Sequence, residues 1–194
     1  MHWRNLDKMS EGKASSRRRM FDPRELSLII ILSALGGGVS VPVGYAGNML
    51  KSVPLLPLGT SQILSGVHVI WILLAGTLVS RRGSSTVTGV LKGLVELSLF
   101  SYHSVLVLLI SAVEGVVMDL SFALLGRQNR SSIYLACGLS SMSNVAVLRL
   151  TILTKLPLPV IAYMGVLSFI SGALFAGYLG RRTLTIAATL GLGQ

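Results

Sequence analysis

In a chain of 194 residues, 52% are hydrophobic and only 12% are charged, with a mean hydropathy of +0.72. A water-soluble domain of this length needs about a quarter of its residues charged, so the composition excludes an ordinary soluble fold. The net charge of +10 does not indicate a nucleic-acid binder, because the basic residues flank apolar blocks instead of forming a basic face.

Residues 1–25 are rich in Ser, Arg and Lys and read as a basic cytoplasmic arm without fixed structure. The apolar block that follows Arg17, Arg18 and Arg19 is as long as a full span and has no clear small-residue cleavage site, which favours a retained first helix over a signal peptide. A hydrocarbon core of about 30 Å needs roughly 20 helical residues. Six segments meet or approach that length: 26–43, 63–80, 84–101, 104–125, 131–154 and 158–180. The expected fold is therefore all-α, a six-helix transmembrane domain over residues 26–182 with a short tail at 183–194. Residues 84–125 could be one apolar stretch, but a helix that long would overshoot the bilayer, so a tight hairpin at 101–104 is expected.

Basic residues orient the spans. The arm, the Arg81-Arg82 turn, the Arg127/Arg130 loop and the Arg181-Arg182 tail hold 13 of them, against Lys51 and Lys155 on the other side. This bias places both termini in the cytoplasm. The connection at 44–62, facing outward, is apolar and carries Asn48 and Gln62; it reads as a lid folded over an outward-facing pocket.

Polar residues inside spans carry the functional reading. Glu96, Glu114 and Asp119 fall within spans, where a charge at the bilayer centre costs at least about 2.5–3.5 kcal/mol and requires a partner, a cavity or a proton. Lys92 and Glu96 are one turn apart, so an intrahelical pair is available, and His103 continues the same stripe outward. His68 and Trp71 share a face of the second span; Asn144 and Arg149 lie on the fifth. Glu96, Trp71, His68, Glu114, Asn144, Gln62, His103 and Asn48 are the candidate ligand contacts. Each has a plainer alternative: Lys92–Glu96 as a structural pair, Arg149 as the counter-ion of Glu114 or Glu96, His68 and Trp71 as packing residues, and Asp119 as an interhelical or partner-facing group. Cys137, the single cysteine, reads as a buried small hydrophobe. On the first span, Ser33/Gly37 and Ala34/Gly38 are small-xxx-small pairs that suit either internal packing or docking to a partner membrane protein.

The chain carries no Gly-x-x-x-x-Gly-Lys-Ser/Thr loop, no Gly-x-Ser-x-Gly and no His-Glu-x-x-His. It is expected to be no enzyme, to need no cofactor and to hold no resident metal.

Two segments carry a family resemblance: Gly83-Ser-Ser-Thr-Val-Thr-Gly-Val-Leu-Lys-Gly-Leu-Val-Glu96, and Glu114-Gly-Val-Val-Met-Asp119-Leu-Ser-Phe-Ala-Leu-Leu-Gly-Arg127. With six spans, a small-residue first helix and an apolar outer loop, the chain resembles the substrate-binding (S) components of energy-coupling factor (ECF) transporters, within them the YkoE-type proteins linked to thiamine or its hydroxymethylpyrimidine moiety. The resemblance implies a prokaryotic plasma-membrane protein that captures a vitamin-like heterocycle outside. It also implies a membrane coupling subunit and two cytoplasmic ATPases as partners. Two alternatives stay open: a cobalt- or nickel-uptake component, since the chain begins Met1-His2, and a stand-alone small permease.

Overall fold

The computed structural model describes residues 21–51, 60–79, 81–99, 105–127 and 129–189. Helix α1 (Pro23–Lys51) opens with proline, whose missing N–H costs nothing in a first turn, and with Glu25, whose carboxylate accepts the Asp22 N–H at 2.7 Å. It runs for 29 residues, about 43 Å, straight through Pro42. This corrects the start of the predicted outward loop. Residues 44–51 continue α1, residues Thr60–Leu64 form a 3-10 turn, and 52–59 lie outside the described residues. Gly44, Gly47 and Pro42 read as breaks by soluble-protein rules, but membrane helices absorb such residues where neighbours re-satisfy the backbone.

Helix α2 (Ser65–Leu78) is the axis of the bundle and touches every other element. Its Val69, Ile72 and Leu73 are fully buried against Met118, Phe122, Ile133, Ala136, Cys137 and Ala176. Cys137 is thus a core hydrophobe. Helix α3 (Ser84–Ser98) starts after Gly83, whose φ of 88° makes the sharp turn behind Arg81-Arg82. At 15 residues, about 22 Å, it is too short to cross the hydrocarbon alone. Among the described residues, five helical segments are long and apolar enough to span: Pro23–Met49, Ser61–Leu78, Leu106–Leu125, Arg130–Thr151 and Leu158–Ile186. The chain is a multi-pass membrane protein in which α3, the third of the six expected spans, falls short of that length. The expected hairpin at 101–104 lies outside the described residues.

Helix α4 (Leu106–Leu125) returns against α3 with the backbones touching. A β-carbon on Gly89 would fall 2.2 Å from the Ser111 carbonyl oxygen, and one on Gly115 2.5 Å from that of Ser85. Helix α5 (Arg130–Thr151) is capped by Asn129, whose side chain accepts the Ser131 N–H at 3.3 Å. Helix α6 (Leu158–Ser171) continues through a π-helical stretch, Gly172–Leu179, into α7 (Gly180–Thr189). Three buried hydroxyls tie α2, α5 and α6 together: Ser65 Oγ lies 2.8 Å from Ser141 Oγ and 2.9 Å from Ser168 Oγ.

The arginine-rich end is cross-braced. Arg81 pairs with Asp22 at 3.0 Å and Glu25 at 2.8 Å, and Arg127 donates to the Arg81 carbonyl at 2.9 Å. Asp119 accepts both the N–H and the hydroxyl of Thr86, at 2.8 and 2.7 Å, and Arg127 stands 3.8 Å away. Asp119 is therefore an interhelical tie from α4 to the start of α3.

Candidate functional site

The opposite end of the bundle holds a cavity of about 110 Å³. Its wall combines the last turns of α1, the 3-10 turn, the start of α2, the end of α3, the start of α4 and the end of α5. The small residues Ser40, Gly44 and Gly47 line it from α1, so the same glycines that read as a loop leave space for a ligand.

Lys92 and Glu96 project from α3 into this space, 1% and 4% exposed. Their one-turn spacing produces the expected pair, with Lys92 Nζ 2.5 Å from Glu96 Oε1. Lys92 also donates to Ser111 Oγ at 3.2 Å, which fixes the ammonium against α4. His68 approaches from α2, with Nδ1 4.0 Å from the same Glu96 oxygen. Glu114 enters from α4 at 1% exposure, and its Oε2 has no hydrogen-bond partner. Ser40 Oγ, Gln62 Oε1 and Asn144 Oδ1 are likewise buried without partners, and all three residues line the cavity. A buried polar atom left unsatisfied costs about 1–3 kcal/mol, so four converging on one void mark a place for a molecule that supplies the missing bonds.

Of the residues singled out from sequence, Glu96, His68, Glu114, Asn144, Gln62 and Asn48 come together here. Trp71 does not. It packs over α1, where a β-carbon on Gly36 would fall 2.8 Å from the indole Cγ, beside Leu32, Leu74 and Ala75. It supplies no stacking surface to the cavity. His103 lies outside the described residues.

Arg149 corrects a further expectation. It neutralises neither Glu114 nor Glu96, but donates from Nη1 to the Leu153 carbonyl at 2.5 Å and to that of Thr154. Both carbonyls belong to the turn just past the end of α5, and a cation near a helix C-terminus is also favoured by the macrodipole, so the local partners win here. Sequence reasoning overlooked Ser40 and Ser111 as lining groups. Ser111 precedes Glu114 by one turn and Ser40 follows Ser33 by two, so helical phase alone held the signal.

The candidate docking residues separate by face. Ser33 is 2% exposed and its hydroxyl lies 2.7 Å from the Ile29 carbonyl and 3.3 Å from that of Thr88; a β-carbon on Gly37 would fall 2.6 Å from Val95 Cγ1. These two pack inside the bundle. Ala34 is exposed and a β-carbon on Gly38 would meet nothing within 4 Å, so this second pair faces outward.

Among the described residues, no three His, Cys, Asp or Glu side chains converge so as to hold a metal ion.

A crystal structure of an S-component of an ECF transporter superposes on this chain with a TM-score of 0.80, over 89% of this chain and 88% of that one, at 22% identity. The chain thus has the S-component fold. A comparison with curated proteins gives no match. The model of the family described as "ABC-type cobalt transport system, permease component" matches residues 24–147, well over half of the chain and including α1 to α4 and most of α5. The chain belongs to that family of transport-system permease components.

Proposed function

We propose that this chain is the substrate-binding subunit of an ECF-type importer in a prokaryotic plasma membrane, capturing a small vitamin-like heterocycle from outside. The observation that carries the reading is the set of four unpartnered polar atoms, from Ser40, Gln62, Glu114 and Asn144, around one cavity at the end of the bundle opposite the arginines. Arginine-rich ends face the cytoplasm, so the cavity opens outward. A void of about 150 Å³ holds benzene. The 110 Å³ here is smaller still, so the cavity must widen even around one substituted ring, which favours the hydroxymethylpyrimidine moiety over the two-ring thiamine.

The subunit performs no hydrolysis itself. A coupling subunit of the membrane and two cytoplasmic ATPases supply the energy, and the outward pair Ala34 and Gly38 lets a partner helix approach α1 closely. A second reading, cobalt uptake, is favoured by the description of the matched family. The cavity suits it less well, because Lys92 already occupies Glu96.

The test is growth of a host unable to make the vitamin. Rescue by this chain together with coupling subunit and ATPases, and not by the chain alone, supports the reading. Rescue by the chain alone makes it a stand-alone permease, and cobalt accumulation without vitamin rescue makes it a metal importer.

A further inference from the structure

The cavity contains two carboxylates, and they are not equivalent. Glu96 is already neutralised: Lys92 Nζ stands 2.5 Å from its Oε1, on the same helix and itself 1% exposed. The ammonium is held in place by a second bond, to Ser111 Oγ at 3.2 Å on the facing helix. Among the described residues, Lys92 forms no ion pair with Glu114, and the Oε2 of Glu114 has no hydrogen-bond partner. Glu96 thus has the Lys92 ammonium and the His68 imidazole beside it, whereas Glu114 has no ion pair among the described residues. An incoming cation that went to Glu96 would have to displace a buried ammonium, whereas at Glu114 it would meet a carboxyl group with no resident counter-ion. Breaking a buried pair by removing one partner is strongly unfavourable, so the Glu114 route wins.

The amides sharpen the choice. Gln62 and Asn144 each carry a buried oxygen without a partner on the same cavity. A carboxylate and two amide oxygens form an acceptor-rich set, which a ring bearing several N–H donors satisfies and a bare hydrocarbon or an anion does not.

We propose that Glu114, with the amides of Gln62 and Asn144, is the charge-reading element of the cavity, selecting a single-ring organic cation with N–H donors, while Lys92 acts as a resident counter-ion that confines Glu96 to holding the ammonium. This rests on the reading of the cavity as the substrate site. It adds which carboxylate discriminates and what chemical class it selects.

The experiment is calorimetry on the detergent-purified full chain with two ring probes of equal shape, benzamidinium and the neutral benzamide, measured beside hydroxymethylpyrimidine, thiamine and Co²⁺. Hydrogen bonds to a charged group make the wild type prefer benzamidinium by about tenfold to a hundredfold. Glu114→Gln reduces that preference to about twofold or less, while Glu114→Asp and the double variant Lys92→Met/Glu96→Gln, which removes the resident pair together, keep it, whatever happens to absolute affinity. Equal affinity of the wild type for the two rings overturns the inference without any variant. A preference lost in Lys92→Met/Glu96→Gln and kept in Glu114→Gln also overturns it, leaving the substrate-binding reading intact. No binding of either ring at millimolar concentration overturns it too. Binding of thiamine or the pyrimidine then preserves the substrate-binding reading, and binding of Co²⁺ alone removes that reading as well.

Discussion

Adjacent glycines in α1 should respond in opposite ways to the same substitution. A leucine at Gly37 must put its β-carbon where Val95 Cγ1 lies 2.6 Å away and the Lys92 carbonyl oxygen 3.2 Å away. The valine can turn, but the carbonyl belongs to the backbone of α3, so the two helices must separate. Overpacking of this kind costs about 1–3 kcal/mol. At about 2–4 °C per kcal/mol for a chain of this size, Gly37→Leu should melt several degrees below wild type. Gly38→Leu meets nothing within 4 Å, and replacing glycine inside a helix gains up to about 1 kcal/mol, so its melting temperature should hold or rise. The exposed face around Gly38 and Ala34 is instead where a coupling subunit would pack, so Gly38→Leu should fail to co-purify with that subunit. Thermal unfolding in detergent and a pull-down with tagged coupling subunit measure the two effects separately. If Gly38→Leu is captured as well as wild type, the docking face lies elsewhere. If it melts as low as Gly37→Leu, the assignment of faces on α1 is wrong.

At the α3–α4 seam, Gly115→Val places a side chain against the Ser85 carbonyl and should prevent recovery of monodisperse protein, read by size-exclusion chromatography. Lys92→Met strands the buried Glu96 and should destabilise by about 3–5 kcal/mol; adding Glu96→Leu should restore part of the loss, and a double variant melting below the single one would contradict the pair. Ser168→Ala removes one corner of the hydroxyl triad and should cost about 0.6 kcal/mol, a small fall in melting temperature with ligand affinity unchanged. For topology, the buried Cys137 leaves the native chain silent to thiol reagents. Cysteines at the exposed Arg82 and Arg130 should resist an impermeant outside reagent while one at Lys155 reacts. Outside labelling at Arg82 or Arg130 would reverse the orientation.

What was legible in the sequence depended on whether local spacing decides the outcome. Lys92 and Glu96 are four apart on one helix, and no tertiary arrangement could separate them far, so the pair was readable in advance. His68, Glu114 and Asn144 stood out as polar residues inside spans and Gln62 as the end of the outward connection, and the fold brings the four to one cavity. Trp71 shows the limit: three residues from His68 is close enough to share a broad face, yet the rotation of about 60° between them turns the indole onto Gly36 while the imidazole reaches the cavity. Arg149 was misassigned for the reverse reason. Its depth allowed a carboxylate partner, but two carbonyls at the end of its own helix lay nearer. The run past Pro42 was hidden because Gly and Pro punctuate soluble chains, whereas here Gly44 and Gly47 thin α1 where it lines the cavity.

The most direct test of the account is equilibrium dialysis of the purified chain alone, without coupling subunit, ATPases or nucleotide, against hydroxymethylpyrimidine, thiamine and Co²⁺ in turn. The account predicts saturable retention of about one heterocycle per chain, since a single cavity carries the unpartnered groups, and no saturable retention of cobalt. Stoichiometric cobalt with no heterocycle retained would contradict it.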